Sequence, residues 1–153
     1  MVVNMKKQIA IYAGSFNPFH IGHFDIALQA KRIFDYTLVA KGINPEKANE
    51  TTSELPTEAL LRNGIQTTTF GCLLSELIIK AESEGYDVVL VRGLRSGSDL
   101  EYEQNFAAFL KGMKSDVKIV AFYCIPEFRH ISSSALRGIR KFSEAEYDKY
   151  VVK

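Results

Sequence analysis

The sequence predicts a single α/β domain: a five-stranded parallel sheet with helices on both faces. Two observations carry this. Short apolar or β-branched runs alternate with segments of helical spacing along the whole chain, the pattern of βαβ units. The 153 residues are 46% hydrophobic and 24% charged, enough for one core, with no repeat, low-complexity stretch or linker to divide it. Residues 1–153 therefore read as one domain, with 1–4 as a disordered extension ahead of Met5.

QIAIYAG (8–14) is the first strand, a short apolar run stopped by glycine. Residues 22–34 follow as a helix, with Phe24, Ala27, Leu28 and Ile33 at helical spacing. YTLVAKG (36–42) is the second strand and the polar stretch 43–54 a loop. PTEALLRNG (56–64) has proline at a helix start and glycine past its end. IQTTTF (65–70) is a β-branched strand, and 72–85 an amphipathic helix closed by Gly85. DVVLV (87–91), the most continuous β-branched run, is expected inside a parallel sheet. Ser98 and Glu101 have capping-box spacing and predict a helix running to Met113. VKIVAFY (117–123) is the fifth strand, and 133–142 and 143–152 are closing helices, the second with a Ser143/Glu146 box.

Bulk properties exclude several function classes. A net charge of +1 gives no global field for nucleic acid or a membrane surface. No apolar run approaches a membrane span. Cys72 and Cys124 form no CxxC pair and read as buried thiols of a reducing, cytoplasmic compartment. An anion site, if present, has to be built locally.

In such sheets ligands bind outside the carboxyl ends of the strands, and the loops there are unusual. GSFNPFHIGH follows the first strand. Gly14 and Pro18 shape this loop, and free N–H groups of the helix after it are expected to face an anion. Ser15 adds a hydroxyl, and His20 and His23 can donate to phosphate oxygens. Neither a Walker A GxxxxGK nor a dinucleotide GxGxxG is present. Arg92 and Arg95 flank Gly93 and Leu94 just past the fourth strand, the place for a polyphosphate clamp, with Glu103 free to anchor one arginine or hold a ribose or adenine. Ser132, Ser133 and Ser134 precede a helix, where one serine suffices as a cap and three offer a second anion site. Lys47 matters only if its loop folds over the site. Each feature alone has an ordinary explanation as a turn, a cap or a solvated charge. Together they place anion-binding groups at four strand ends with no Ser–His–Asp order and no metal-ligand set, which suits triphosphate binding and charge stabilisation rather than a covalent intermediate.

In this order, YAGSFNPFHIGHFDIALQA, NPEK, VRGLRSGSDLEYE and ISSS resemble bacterial phosphopantetheine adenylyltransferases, members of the HxGH nucleotidyltransferase superfamily. The resemblance implies a Rossmann-like fold and Mg²⁺-dependent transfer of AMP from ATP to phosphopantetheine, giving dephospho-coenzyme A and pyrophosphate by in-line attack. It also implies a bacterial hexamer and coenzyme A as an inhibitor. By resemblance, the catalytic set is His23, Lys47, Arg95 and Ser15. The acceptor side takes Ser15, Lys47, Leu74 and Arg92. The ATP side takes Ser15, Phe16, His20, His23, Gly93, Leu94, Arg95 and Glu103, together with Phe128, Arg129, His130, Ile131, Ser132, Ser133 and Ser134, the segment expected to close on the nucleotide. Several features depart from the family's usual pattern: His20 stands where threonine is usual, Asn17 where aspartate is and Leu110 about where an asparagine is, and the segment between Lys47 and Phe70 and the C-terminal end are short. His20 and Asn17 are closer to nicotinate-mononucleotide adenylyltransferases, so that acceptor remains an alternative. So does a nucleotide-binding module without turnover.

Overall fold

The computed structural model describes residues 5–47 and 52–153. Five strands form one all-parallel sheet: β1 (Gln8–Gly14), β2 (Tyr36–Gly42), β3 (Gln66–Phe70), β4 (Asp87–Leu94) and β5 (Lys118–Tyr123). Their spatial order is β3-β2-β1-β4-β5. The chain reverses its winding between β1 and β4, so the crevice for a ligand opens there.

Helices cover both faces because strand side chains alternate. Ala10, Tyr12, Val39 and Val91 pack on one side with Ile26, Ala27 and Ala30 of α1 (Ile21–Lys31) and Leu60 of α2 (Thr57–Arg62). Ile9, Ile11, Ala13, Ala40, Val88 and Leu90 pack on the other with Ile78 and Ala81 of α3 (Leu74–Ser83) and Leu110 of α4 (Gly97–Met113). A third small cluster, Ile131, Leu136 and Tyr147, joins α5 (Ser133–Arg140) to α6 (Glu144–Asp148). As expected for a run buried on both faces, β4 lies inside the sheet between β1 and β5. No helix among the described residues is long and apolar enough to cross a membrane.

Several local expectations shift. Helix α1 ends at Lys31, three residues short of the predicted end, and Ile33 is exposed. β4 continues to Leu94, and the helix after it starts at Gly97, earlier than the Ser98/Glu101 spacing suggests. Its N-cap is Ser96, whose hydroxyl accepts from the Asp99 N–H at 3.4 Å. The last predicted helix is cut to α6, since the chain beyond it pairs back on the loop after β1: Val151 bridges His20. Cys72, expected buried, is exposed in the β3–α3 connection, and Cys124 is half-buried on the wall of the main cleft. The reading of 1–4 as an extension lies outside the described residues, as does the middle of loop 43–54 (48–51). Of Lys47, only the backbone is described, at the end of the 3-10 turn Pro45–Lys47.

Candidate active site

A cleft of about 1000 Å³ opens over the carboxyl ends of β1 and β4. Ser15, Phe16, His20, His23, Leu74, Arg92, Gly93, Leu94, Arg95, Glu103 and Ser132–Ser134 all line it. Residues far apart in the chain converge because parallel strands deliver every β-to-α loop to one edge.

His20 is the N-cap of α1. Its Nδ1 accepts the backbone N–H groups of Gly22 (3.1 Å) and His23 (3.3 Å). The Nδ1 of His23 in turn accepts the N–H of His20 at 3.2 Å. The Ile21 N–H donates to the Tyr150 carbonyl at 2.9 Å. The first-turn amides expected to face an anion are therefore already occupied within the chain. This also gives a physical reason for histidine where the resemblance expects threonine: both supply a capping acceptor. Glycine at position 22 suits the same geometry, since a Cβ there would press on the capping His20 ring at 3.0 Å.

The two imidazoles stack with centroids 3.6 Å apart. Phe16 and Phe19 enclose His23 at 5.0 and 5.4 Å. Burial, with Arg95 nearby, lowers the His20 pKa to about 4. Burial, then His20 and Arg95, holds His23 well below the usual histidine range. Both rings are thus neutral near pH 7. With each Nδ1 accepting a backbone N–H, the proton of each ring sits on Nε2. The pair is a set of neutral donors, fixed by the helix end they cap.

A pH dependence of stability follows. The His20 pKa is 6.5 in the unfolded chain and about 4 when folded. As pH falls below 6.5, the unfolded state takes up a proton that the folded ring refuses, so stability present above 6.5 is lost progressively toward pH 4. His23 acts in the same direction. His20→Asn keeps a capping acceptor and removes one titration. Its melting temperature should fall less than that of wild type between pH 7 and 4, and superimposable curves would contradict this role.

The arginines are more constrained than the sequence suggests. Arg92 binds Glu103 bidentately, Nε to Oε2 at 2.6 Å and Nη2 to Oε1 at 2.9 Å. Its Nη1 donates to the Ala13 carbonyl at 3.0 Å, and its guanidinium lies 4.5 Å from the Phe106 ring centroid. Of the two uses open to Glu103 in the sequence, the structure shows the anchor. Arg95 is held by Asp99 at 3.1 and 3.2 Å and by the Ile131 carbonyl at 3.0 Å. Burial opposes ionisation of Asp99, but hydrogen bonds from the Arg95 side chain and backbone outweigh it and hold the carboxyl below its ordinary range. Each guanidinium has five N–H groups, so two remain on each for an incoming phosphate.

The serine run divides its labour. Ser132 caps α5, accepting the Ala135 N–H at 3.2 Å. Ser133 donates to the Pro18 carbonyl at 2.9 Å, tying α5 to the loop after β1. Ser134 stays on the cleft, 3.3 Å from the Ser132 hydroxyl. Phe128, Arg129, His130 and Ile131 do not line the cleft; Arg129 donates to the Arg95 carbonyl at 3.1 Å and Ile131 is buried. Arg129 and the Ile131 carbonyl support Arg95 from behind, while Phe128 packs on the α5–α6 cluster and His130 against Tyr150.

Sequence reasoning passed over several wall residues, among them Tyr12, Asp99, Tyr102 and Arg137. Arg137 was findable, standing one helical turn past Ser133 and Ser134; it donates to the Asn17 carbonyl at 2.7 Å. Tyr12 follows from strand alternation, and burial pushes its phenol pKa up. For magnesium, Asp99 and Glu103 are each bound to an arginine, and no cluster of three metal-ligating side chains occurs among the described residues. This donor set does not fit a resident ion, although Mg²⁺ carried on a triphosphate needs no protein cage.

The cytidylyltransferase-like family model matches residues 11–139. A phosphopantetheine adenylyltransferase of Porphyromonas gingivalis is 37% identical over 139 residues, 90% of each chain. One of Beijerinckia indica is 34% identical over 137 residues, 86% of this chain and 82% of its own. The Plasmodium falciparum nicotinic acid mononucleotide adenylyltransferase, solved with NaAD, shares the fold with a TM-score of 0.63 at 15% identity, covering 95% of this chain and 90% of that one. A parallel sheet with its cleft at the β1/β4 crossover, a His20–His23 cap and this level of identity agree: the chain belongs to the cytidylyltransferase-like family and, within it, to the phosphopantetheine adenylyltransferases.

Proposed function

We propose that the protein transfers the adenylyl group of ATP to the phosphate of phosphopantetheine, releasing pyrophosphate and forming dephospho-coenzyme A. A phosphate oxygen of the acceptor attacks the α-phosphorus, and the bond from that phosphorus to the bridging oxygen of pyrophosphate breaks. The observation that carries the reading is the pair of neutral imidazoles, His20 and His23, beside two half-engaged arginines at the crossover cleft. Charge building on the transferring phosphoryl group meets donors that are already oriented and need no reorganisation.

In this reading His23 and Arg95 stabilise the transferring group, and Ser15 lies between nucleotide and acceptor. Arg92 and Lys47 take the acceptor phosphate. Leu74, with Phe70 and Phe106, forms the apolar wall along which a long pantetheine arm can lie. Gly93 and Leu94 form the ATP turn, backed by Glu103 and by residues 128–134. Mg²⁺ bound to ATP would screen the triphosphate charge. The reading extends to residues 1–153 acting as one domain of a cytoplasmic homohexamer, with coenzyme A as an inhibitor. Exposed Tyr102, Phe109 and Met113 on α4 offer apolar surface for a second copy.

Purified protein with ATP, Mg²⁺ and a panel of acceptors tests the assignment through pyrophosphate release. Phosphopantetheine should give the highest kcat/KM. Preference for nicotinate mononucleotide would replace the acceptor, and no pyrophosphate with any acceptor would favour a binding module.

A further inference from the structure

The site described above makes no use of Lys41, the one lysine on the β2 strand. Period-two alternation puts its side chain on the same face as Thr37 and Val39, under the loop after β1, with Gly14 its partner across the sheet. It is only 7% exposed. Burial lowers its pKa, and no nearby charge shifts it in either direction. Its Nζ donates to two successive backbone carbonyls, those of Ser15 and Phe16. A buried ammonium bound only by carbonyls is a costly arrangement for structure alone. Between these carbonyls lies Phe16, the one non-glycine residue with positive φ among those described, at φ 43°.

We propose that Lys41 is a positioning residue for the adenylyl transfer. By drawing the Ser15 and Phe16 carbonyls down into the protein, it turns the Phe16 and Asn17 N–H groups up as donors to phosphate. In a trans peptide the C=O and N–H lie on opposite edges of one plane. Both peptides are trans, since the only cis bond among the described residues follows, at Asn17-Pro18. Lys41 lies outside the cleft lining, whereas Ser15 and Phe16 belong to it. Neither amide is engaged in a backbone hydrogen bond elsewhere in the described chain. The inference answers a question the occupied α1 amides leave open. With those N–H groups capped by His20, the loop's own peptides become the backbone donors, and Lys41 holds them there. It rests on the adenylyl-transfer reading for its consequence in turnover, but not for its consequence in phosphate binding.

Two measurements test it. In wild-type protein, the amide resonances of Phe16 and Asn17 should move when inorganic pyrophosphate is added, and should not move with adenosine. If they stay fixed while the His23 ring responds, the proposal fails, whatever the enzyme's acceptor. In Lys41→Met, shown to be folded by its melting transition, kcat should drop by about 10²-fold, as a misplacement of about 1 Å can cause. The Kd for ATP should weaken while that for adenosine is unchanged, and Lys41→Arg should recover most of the lost turnover. A folded Lys41→Met with wild-type kcat and ATP affinity overturns the proposal. So does equal weakening of ATP and adenosine, which marks a purely structural role. Wild-type protein that releases no pyrophosphate counts against the functional reading, and the resonance shifts still decide the role of Lys41.

Discussion

His23→Ala is expected to lower kcat by roughly 10²–10³-fold, the usual cost of losing one preorganised donor to developing charge. The ring is packed against Phe16 and Phe19, stacked on His20 and held by its own Nδ1, so its Nε2 proton is fixed in place before substrate arrives. The loss should fall on kcat more than on KM for either substrate, because the developing charge exists only in the transition state. The fold should survive. The variant loses one hydrogen bond to the His20 N–H, worth about 1 kcal/mol, while His20 still caps Gly22 and residue 23. Steady-state kinetics alongside a melting curve check this, and a folded variant with near-normal turnover would remove His23 from the chemistry. With both histidines neutral, the pH–rate profile should show no inflection near 6.5 arising from either ring.

Arg92→Lys is expected to raise the acceptor KM well above that of ATP, even though charge is conserved. The guanidinium reaches both Glu103 oxygens and the Ala13 carbonyl at once, lies against Phe106, and keeps two N–H groups for a phosphate. A lysine ammonium has three donors on a flexible stem and cannot reproduce a planar fork. It would satisfy Glu103 and leave little for the acceptor, so a charge-conserving change should behave like a deletion at this subsite. Initial rates at saturating ATP, with varied phosphopantetheine, measure it. An unchanged acceptor KM would place the acceptor phosphate elsewhere in the cleft.

The division between sequence and structure falls along the range of the interactions involved. Alternating runs and helical spacing are local properties, so the five strands, the parallel sheet and the strand-end location of the site were legible from residues 8–14, 36–42, 65–70, 87–91 and 117–123 and the helical segments between them. The GSFNPFHIGH and RGLR stretches were legible as anion-binding chemistry only jointly, because a turn, a cap or a solvated charge explains each alone but not such groups at four strand ends at once. What each side chain does with its hydrogen bonds was not legible. His20 reads as a phosphate donor by type, yet its Nδ1 caps a helix, a role settled by where the α1 amides end up. Glu103 had two uses until α4 was packed beside β4 and brought its carboxylate onto Arg92. Lys41 looked like one more strand residue, and only the fold of the next loop shows that it is buried under two carbonyls. The sequence by itself determined the architecture and the class of chemistry, both encoded in local spacing and residue type. Tertiary structure decided which polar groups were already satisfied and which remained for a ligand, because the partners depend on how elements pack: α4 brings Glu103 to Arg92, the segment before α5 brings the Ile131 carbonyl to Arg95, and β2 brings Lys41 to the loop after β1.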